Sequence, residues 1–213
     1  MVAAVARGRL ITIEGLDGAG KTTLAAHLAD ALRARGVGVE LLREPGGVEA
    51  SERIRTLVKD PALTIGARAE ALLYAAARAQ LVEEALAPLL DGGDWVLLDR
   101  FVDSSLAYQG GGRGLGVEVV AAINEFATGG LRPDRTLLLE VDPALGRARQ
   151  GTRLEGFDRL EREEEAFFAR IAAGYDELAR REPERVRRVD ASGAPEDVLA
   201  AALAELDDVL VGA

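Results

Sequence analysis

Short apolar runs and longer segments of helical periodicity alternate along the chain. The short runs are rich in leucine and β-branched residues, which is typical of strands buried on both faces. These predicted strands are residues 9–14, 37–43, 95–99, 136–141 and 186–190. In the longer segments, apolar residues recur three and four positions apart, which predicts helices. These predicted helices are residues 21–35, 68–90, 118–127, 160–181 and 196–211, the last with Ser192 and Pro195 near its start.

Strands that alternate with helices favour right-handed crossover connections and a parallel sheet covered on both faces. The sequence therefore predicts a three-layer α/β fold with five parallel strands flanked by helices. A length of 213 residues suits one domain, so we expect residues 1–213 to form a single domain. Ligands of such sheets bind at the carboxyl ends of the strands.

Two segments fit neither pattern and are predicted to be loops. Residues 110–114 are rich in glycine, and residues 147–159 are rich in arginine. The second segment lies between a predicted helix and the charged stretch 161–165, which suits a flap that closes over a ligand. A solvated surface loop that carries charge is the alternative.

A glycine-rich loop follows the first predicted strand and opens the first predicted helix. It matches the P-loop pattern G-x-x-x-x-G-K-[ST] with Gly15, Leu16, Asp17, Gly18, Ala19, Gly20, Lys21, Thr22 and Thr23. Backbone N–H groups of such a loop point at phosphate oxygens, and the helix N-terminus adds positive potential. We expect Lys21 to reach the β- and γ-phosphates of ATP and Thr22 to bind Mg²⁺.

The third predicted strand ends in Asp99, and Arg100 follows it. A carboxylate at the end of an apolar strand is the usual second acid of the Mg²⁺ site in P-loop enzymes. A turn or capping role is the alternative for an aspartate in this place. The guanidinium of Arg100 would lie where a second phosphate can bind, at the same edge of the sheet.

Composition narrows the class of protein. A net charge of −10 opposes the phosphate backbone of nucleic acid, so we expect no nucleic-acid partner. Charges break the apolar stretches well below the roughly 18 residues of a membrane span, so we expect no membrane partner. The absence of cysteine fits a cytoplasmic location. Lys21 and Lys59 are the only lysines among the 26 lysine and arginine residues, which suggests that position 21 needs a compact ammonium group. Chance is the alternative for a single position.

The P-loop and several other segments together resemble the thymidylate kinases, over nearly the whole chain from residue 9 to about residue 198. The matching segments are residues 13–23, 43–47, 74–80, 99–101, 104–114 and 189–192. Their order and spacing are similar to the bacterial form of the enzyme. The resemblance implies a P-loop kinase fold, transfer of the γ-phosphoryl group of MgATP to thymidine 5′-monophosphate, and a homodimer.

The resemblance also implies roles around the acceptor nucleotide. Asp17 would accept a hydrogen bond from the deoxyribose 3′-hydroxyl, and Arg100 would hold the 5′-phosphate. Asp99 would help to organise Mg²⁺. Arg43 and Pro45 would line the acceptor site.

The resemblance implies that the thymine base is read by the matching segment 74–80, which lies on the predicted helix 68–90. Tyr74 and Arg78 are four residues apart, so the ring can stack on thymine while the guanidinium donates to O4. Without the resemblance, an aromatic core residue and a surface arginine are the alternative. The remaining positions implied for the base edge and the sugar face are Ser104, Ser105, Tyr108 and Gln109. Tyr108 would crowd a ribose 2′-hydroxyl.

Members of the family place a catalytic arginine either in the P-loop or in the flap. The corresponding P-loop residue here is Gly18, so the resemblance implies that the flap supplies the arginine. We favour Arg153, with Arg149 second. Arg159 is a weaker candidate because the neighbouring acids of its own segment can pair with it.

Adenine is expected near Arg147 and Ser192, again on the resemblance. The nucleophile would be a phosphate oxygen that is already ionised, so no general base is needed. We therefore expect His27, the only histidine, to be an ordinary residue of the first helix.

Two other functions remain open at this point. The first is a kinase of another nucleoside or nucleoside monophosphate, with the same fold and a different acceptor. The second is a P-loop regulator that binds ATP without transferring phosphate. The arginine-bearing segments 43–45 and 99–101 argue against a regulator, because a regulator needs no second phosphate site.

Overall fold

The structure is a computed structural model that describes residues 6–150 and 158–210. Five parallel strands form one sheet in the order β2-β3-β1-β4-β5. The strands are β1 (Leu10–Glu14), β2 (Val39–Arg43), β3 (Trp95–Asp99), β4 (Arg135–Glu140) and β5 (Val186–Asp190). Each of them overlaps one predicted strand. The prediction of a five-stranded parallel sheet is confirmed.

Helices connect the strands and cover the sheet. They are α1 (Lys21–Arg33), α2 (Glu49–Lys59), α3 (Ala67–Leu81), α4 (Ala87–Asp91), α5 (Val102–Ser105), α6 (Val117–Thr128), α7 (Pro143–Gln150), α8 (Glu165–Arg181), α9 (Pro195–Ala204) and α10 (Asp207–Leu210). Two π-helical segments, Val82–Leu86 and Leu106–Gly112, continue α3 into α4 and extend α5. The helix predicted over 68–90 is therefore three consecutive helical segments.

Alternate residues of β1 face two separate apolar layers. Ile11 and Ile13 belong to a buried cluster with residues of α1 and α9. Leu10 points the other way, into a cluster with Leu81 and Leu90. Because a strand alternates its side chains between two faces, the continuous burial of β1 requires a helix layer on each side. The three-layer arrangement is confirmed.

The loop predicted over residues 110–114 is wrong for its first half. Residues 106–112 form a π-helical segment that packs against α8. A Cβ atom at Gly112 would lie 2.8 Å from the Phe167 ring, so this glycine permits a close approach of two helices. The loop was predicted because glycine can adopt turn conformations that other residues avoid. At Gly112 the property that matters is the absence of a side chain, which leaves room for Phe167.

The loop predicted over residues 147–159 is wrong at its beginning. Residues up to Gln150 belong to α7, which carries Arg147 and Arg149. The carboxylate of Asp142 accepts the backbone N–H of Ala144 at the start of this helix, at 2.8 Å. Residues 151–157 lie outside the described part of the chain.

One helix was missed, and two predicted helices have other bounds. The missed helix is α2, although Glu49 and Glu52 in its first turn and Lys59 in its last turn suit the helix dipole. The helix predicted from residue 160 begins at Glu165. The helix predicted over 196–211 divides into α9 and α10.

The start of α9 also differs from the expectation at Ser192. The backbone N–H of Ser192 donates to the Asp190 carboxylate at 2.9 Å, in a turn before the helix. Ala194 occupies the N-cap position without a side-chain cap, and Pro195 follows in the first turn. Within residues 6–150 and 158–210, the structure has no helix that is both long and apolar enough to cross a membrane.

Candidate active site

A cavity of about 800 Å³ opens at the carboxyl ends of β1, β2 and β3. All the residues predicted to bind the acceptor line it: Asp17, Arg43, Pro45, Tyr74, Arg78, Arg100, Ser104, Ser105, Tyr108 and Gln109. The P-loop contributes Gly18, Gly20, Lys21, Thr22 and Thr23 to the same wall. The fold thus brings the predicted phosphate loop and the predicted acceptor residues to one cavity, because parallel strands end at one edge of the sheet.

Lys21 is the first residue of α1 and is 7% exposed. Its Nζ donates to the backbone oxygens of Gly15, at 3.1 Å, and Leu16, at 2.9 Å. Burial, and then the nearby Arg100, lower the pKa of Lys21 to about 8. The ammonium group lies inside the curl of the loop, where backbone N–H groups of a P-loop surround phosphate.

Thr22 and Asp99 meet beside the P-loop. The Thr22 hydroxyl donates to Asp99 Oδ2 at 3.0 Å. One hydroxyl and one carboxylate are hard oxygen ligands of the kind that Mg²⁺ takes, with water and phosphate oxygens completing its octahedron. The described residues contain no group of three or more His, Cys, Asp or Glu that could bind a metal by itself. The pair therefore fits an ion that is shared with a bound nucleotide.

Arg100 occupies a strained turn at the end of β3. Its φ of 73° is in the left-handed region, where it is the only non-glycine residue in the described part of the chain. Its Nη2 donates to Asp17 Oδ1 at 2.7 Å and to the Tyr108 hydroxyl at 3.3 Å. Burial favours a higher pKa for Asp17, but Arg100 and Lys21 outweigh it and hold the pKa of that carboxyl well below its usual range.

A buried carboxylate, Glu14, ends β1 beneath the Arg100 turn. It accepts the backbone N–H groups of Phe101, at 2.8 Å, and Ser104, at 3.1 Å. It also accepts the hydroxyls of Ser104 and Tyr175. Burial, and then the charge of Asp103, raise the pKa of Glu14. No role was predicted for this residue from the sequence.

Arg78 is buried and not on the surface, since its exposed fraction is 1%. Its five N–H donors are directed at protein acceptors: two at Glu44 and one each at Ser105, Asn124 and the Phe101 backbone oxygen. Burial raises the pKa of Glu44 to about 7, although the Arg78 charge acts in the opposite direction. A hydrogen bond from Arg78 to a base therefore requires that one of these protein contacts be exchanged.

The remaining acceptor residues surround this pair. Gln109 Nε2 donates to the buried carboxylate of Glu70 at 2.9 Å. The Pro45 backbone oxygen accepts a hydrogen bond from Arg55 at 2.8 Å, and Arg43 pairs with Glu52 at 3.0 Å. Tyr74 is half-buried, and burial raises the pKa of its hydroxyl.

The described flap residues lie in two places. Arg149 lines the cavity and donates to the backbone oxygens of Ala191, at 2.9 Å, and Ser192, at 3.4 Å. Arg147 is exposed and lies 3.8 Å from Glu165. In the described residues, Arg149 therefore reaches the predicted adenine loop. The adenine contact expected of Arg147 stays a prediction. Arg153 lies outside the described residues.

Arg159 is anchored at the far end of this segment. Its Nη2 donates to Glu70 Oε2 at 2.6 Å, and its Nε donates to the Val58 backbone oxygen at 2.9 Å. It therefore pairs with a buried acid of α3 and not with its sequence neighbour Asp158, which instead pairs with Lys59 at 2.8 Å.

Several residues that line the cavity or lie next to it were not predicted from the sequence. Arg55 and Glu52 lie on α2, whose acidic first turn and basic last turn were the available signal. Glu44 lies in the matching segment 43–47, but no role was predicted for it. Glu14 and Tyr175 are 161 positions apart, and no sequence pattern joins them.

A P-loop at the end of β1 and an arginine turn at the end of β3 face one cavity. These features define a P-loop phosphotransferase with sites for two phosphorylated compounds. The family model described as thymidylate kinase matches residues 13–202. The chain belongs to the thymidylate kinase family.

Individual relatives agree with this assignment. The chain is 50% identical to the thymidylate kinase of Lactobacillus delbrueckii subsp. bulgaricus over 200 residues, 92% of this chain and 94% of the relative. It is 49% identical to that of Deinococcus radiodurans, with 92% and 95% covered. The solved thymidylate kinase of Ehrlichia chaffeensis superposes with a TM-score of 0.76 at 29% identity, with 94% and 98% covered. The protein is a nucleoside-monophosphate kinase that transfers phosphate from ATP to thymidine monophosphate.

Proposed function

We propose that thymidine 5′-monophosphate binds with its phosphate on Arg100 while the P-loop holds the phosphates of ATP. The observation that carries this proposal is the Arg100 turn. Its guanidinium lies on the cavity wall in a fixed orientation, 2.7 Å from Asp17 of the P-loop. A planar guanidinium in a fixed orientation suits bidentate binding of a phosphate.

The test is an Arg100→Met variant, with Arg132→Met as a control on an exposed arginine that pairs with Glu182. The Michaelis constant for thymidine monophosphate should rise by about a hundredfold or more, because a charge-assisted phosphate contact is lost. Affinity for ATP should change little. An unchanged Michaelis constant for the acceptor would remove Arg100 from the phosphate site.

Thr22 and Asp99 are proposed to hold Mg²⁺ together with the nucleotide phosphates. Their contact of 3.0 Å and their oxygen chemistry support this role. Bound Mg²⁺ would neutralise charge that develops on the phosphate oxygens. Replacing Asp99 with Asn should weaken Mg²⁺ binding, which can be measured by competition with Mn²⁺ in electron paramagnetic resonance.

The residues of this chain would act on the reaction mainly by placing the reactants. The attacking oxygen of a phosphate monoester is ionised near neutral pH, so no side chain has to remove a proton. Asp17 would accept a hydrogen bond from the 3′-hydroxyl of the deoxyribose. Lys21 would stabilise the negative charge on the transferred phosphoryl group. Tyr108 would exclude a 2′-hydroxyl from the sugar face.

The proposed base site comprises Tyr74, Arg78, Ser105 and Gln109. Tyr74 offers a ring for stacking, and Ser105 is already a partner of Arg78 at 2.9 Å. Donation from Arg78 to thymine O4 is proposed to replace one of these protein contacts. Arg78→Lys keeps the charge with fewer donors, so selectivity for thymidine over deoxycytidine monophosphate should fall, as measured from the two kcat/KM values.

Arg153 is proposed as the catalytic arginine of the flap, with Arg149 second. The contacts of Arg149 with Ala191 and Ser192 support a place beside the adenine loop, which favours Arg153 for the phosphoryl group. An arginine at Gly18 would not fit, because a Cβ atom there would lie 2.2 Å from the Gly146 backbone oxygen.

A homodimer is proposed to form through the faces of α3 and α6. These helices pack against each other and carry exposed apolar side chains: Leu72 is 57% exposed, Val119 57% and Phe126 91%. Contiguous exposed apolar side chains mark interaction surfaces more often than isolated ones. Phe126→Asp should give a monomer in light scattering after size exclusion, and Leu57→Asp on α2 should not. A dimer that survives Phe126→Asp would locate the interface elsewhere.

A cytoplasmic location and a single domain over residues 1–213 are also proposed. The lack of cysteine supports the first. The second is supported by the family match over residues 13–202, and limited proteolysis tests it.

A further inference from the structure

Four hydrogen-bond donors converge on the carboxylate of Glu14, which is 0% exposed. Oε1 accepts the backbone N–H groups of Phe101 and Ser104, at 2.8 and 3.1 Å. Oε2 accepts the hydroxyl of Ser104 at 2.5 Å and that of Tyr175 at 2.8 Å. An ionised carboxylate only accepts, so it satisfies all four groups at once.

The two hydroxyls continue from Glu14 to the guanidinium of Arg100. Arg100 Nη1 donates to Ser104 Oγ at 3.0 Å and to the Tyr175 hydroxyl at 3.4 Å. The two hydroxyl oxygens also lie 3.0 Å from each other. A hydroxyl has a single hydrogen, and in the arrangement where each hydroxyl donates to Glu14 neither hydrogen points at Arg100. The lone pairs of both oxygens are therefore left to accept from Arg100.

Glu14 also fixes the backbone around Arg100. The residue after Arg100 donates its N–H to Glu14, and the Arg100 N–H itself donates to the Ile13 backbone oxygen at 3.0 Å. These contacts bracket a non-glycine residue with a φ of 73°, a conformation that persists only where its surroundings determine it. Glu14 thus restrains both the main chain and the side chain of Arg100.

We propose that Glu14 is a positioning residue for the acceptor phosphate, which orients Arg100 through Ser104, Tyr175 and the Phe101 backbone. Glu14 does not touch the phosphate. The inference rests on the proposed binding of the phosphate by Arg100, and it adds a buried acid and a hydroxyl from α8 to that site.

The chemistry of glutamate, and not its shape alone, is required here. A glutamine of equal size has an NH₂ group in place of one acceptor oxygen, and this group would face either the two backbone N–H groups or the two hydroxyls that donate to Glu14. Either one contact is lost, or a hydroxyl reverses and points its hydrogen at the cationic Arg100. Both results displace the guanidinium, and a misplacement of about 1 Å can cost a large factor in rate or binding.

The experiment compares Glu14→Gln with Thr12→Val as a matched control. Thr12 lies on the same face of β1, is fully buried, and loses one hydrogen bond of 2.7 Å to Thr136 in the variant. Titration calorimetry measures the dissociation constants of thymidine 5′-monophosphate and of thymidine, which lacks the phosphate. Thermal unfolding reports the stability of each variant.

In Glu14→Gln, affinity for thymidine monophosphate should fall by about tenfold or more, while affinity for thymidine and for ATP stays unchanged. Tyr175→Phe, which removes one hydroxyl, should show a smaller loss of the same selective kind. Thr12→Val should lower the unfolding temperature without selective loss. An equal loss for both ligands in Glu14→Gln, or no loss, would overturn the inference.

Tyr175→Phe and Arg100→Met keep the outcome unambiguous. If Glu14→Gln does not fold, the absence of a selective loss in Tyr175→Phe overturns the inference. Arg100→Met separates this inference from the proposed function. If Arg100→Met loses affinity for thymidine monophosphate but not for thymidine, and Glu14→Gln shows no such selective loss, only the role of Glu14 is wrong. If Arg100→Met shows no selective loss, the proposed phosphate site itself is wrong.

Discussion

Replacing Arg78 with Ala should destabilise the protein strongly, in addition to any effect on base selectivity. The side chain is 1% exposed, and its removal leaves the Glu44 carboxylate buried without its cation. It also leaves the Asn124 side-chain oxygen and the Phe101 backbone oxygen without this donor.

The size of the effect follows from the partner that is left behind. Removing one member of a buried ion pair costs about 3–5 kcal/mol in free energy of unfolding. For a protein of this length, each kcal/mol shifts the midpoint by roughly 2–4 °C, so the expected drop in Tm is roughly 6–20 °C. Protonation of Glu44 limits the cost, because the neutral acid is less expensive to bury.

Protonation of Glu44 gives the prediction a pH dependence. In the parent, burial raises the pKa of Glu44 from 4.5 to about 7. The folded state therefore holds this proton more tightly than the unfolded state. The stabilisation that results is fully present below pH 4.5 and is lost as the pH rises through 7. Without the Arg78 charge, the pKa of Glu44 rises further. Above pH 7 the free energy of unfolding therefore keeps falling with pH in the variant, whereas in the parent this fall has ended. The difference in unfolding free energy should therefore be larger at pH 8 than at pH 6.

Urea unfolding at the two pH values measures this difference, with the fluorescence of the buried Trp95 as the signal. The double variant Arg78→Ala/Glu44→Gln should lose the extra pH dependence. Arg132→Ala, at an exposed ion pair, is the control and should cost less than about 1 kcal/mol. A destabilisation of Arg78→Ala below about 1 kcal/mol at pH 8, or one that is equal at both pH values, would refute the reasoning.

Four further outcomes are expected. Lys21→Ala should lower kcat by about a thousandfold or more with little change in folding, and activity near that of the parent would contradict the P-loop role. The kcat/KM for ATP should fall as pH rises through the pKa of Lys21 at about 8, because the neutral amine no longer attracts phosphate; a flat profile to pH 10 would count against it. At least one of Arg153→Ala and Arg149→Ala should lower kcat by more than about tenfold, whereas Arg159→Ala should chiefly lower Tm because it leaves the buried carboxylate of its partner. Tyr108→Ala should narrow the preference for deoxyribose over ribose, measured from the two kcat/KM values, and an unchanged preference would assign the exclusion to another group.

The central strands β1, β3 and β4 could be predicted because each is a short run that is apolar and mostly buried. The edge strands β2 and β5 carry charged residues and are only partly buried, so their pattern is a weaker signal. The P-loop could be placed for a similar reason, since its glycines, Lys21 and Thr22 are contiguous between a strand and a helix. The residues at the cavity wall followed from the ends of the strands and from the family resemblance. Their roles toward substrates stay predictions.

The rest depends on contacts that a linear pattern does not contain. Arg78 was interpreted as a reader of the base. Its contacts with Glu44, which follows β2, and with Asn124 of α6 join segments that are far apart in the sequence. The segment 110–114 was interpreted from the freedom of glycine, whereas Gly112 serves a close contact with α8. The beginning of the arginine-rich segment is helical, because α7 continues through Arg149.

The bond from Tyr175 to Glu14 also bears on how the enzyme is synthesised. A ribosome delivers the P-loop and every predicted acceptor residue well before it delivers α8, and domains begin to fold from the N-terminus during translation. A nascent chain that ends before Tyr175 has the sequence of both phosphate sites, but Glu14 lacks one of its four donors. A chain that ends before α8 also lacks Phe167, whose ring packs edge-on against Tyr108. The acceptor site is therefore completed only when most of the chain has left the ribosome, so premature termination yields a fragment without a complete acceptor site.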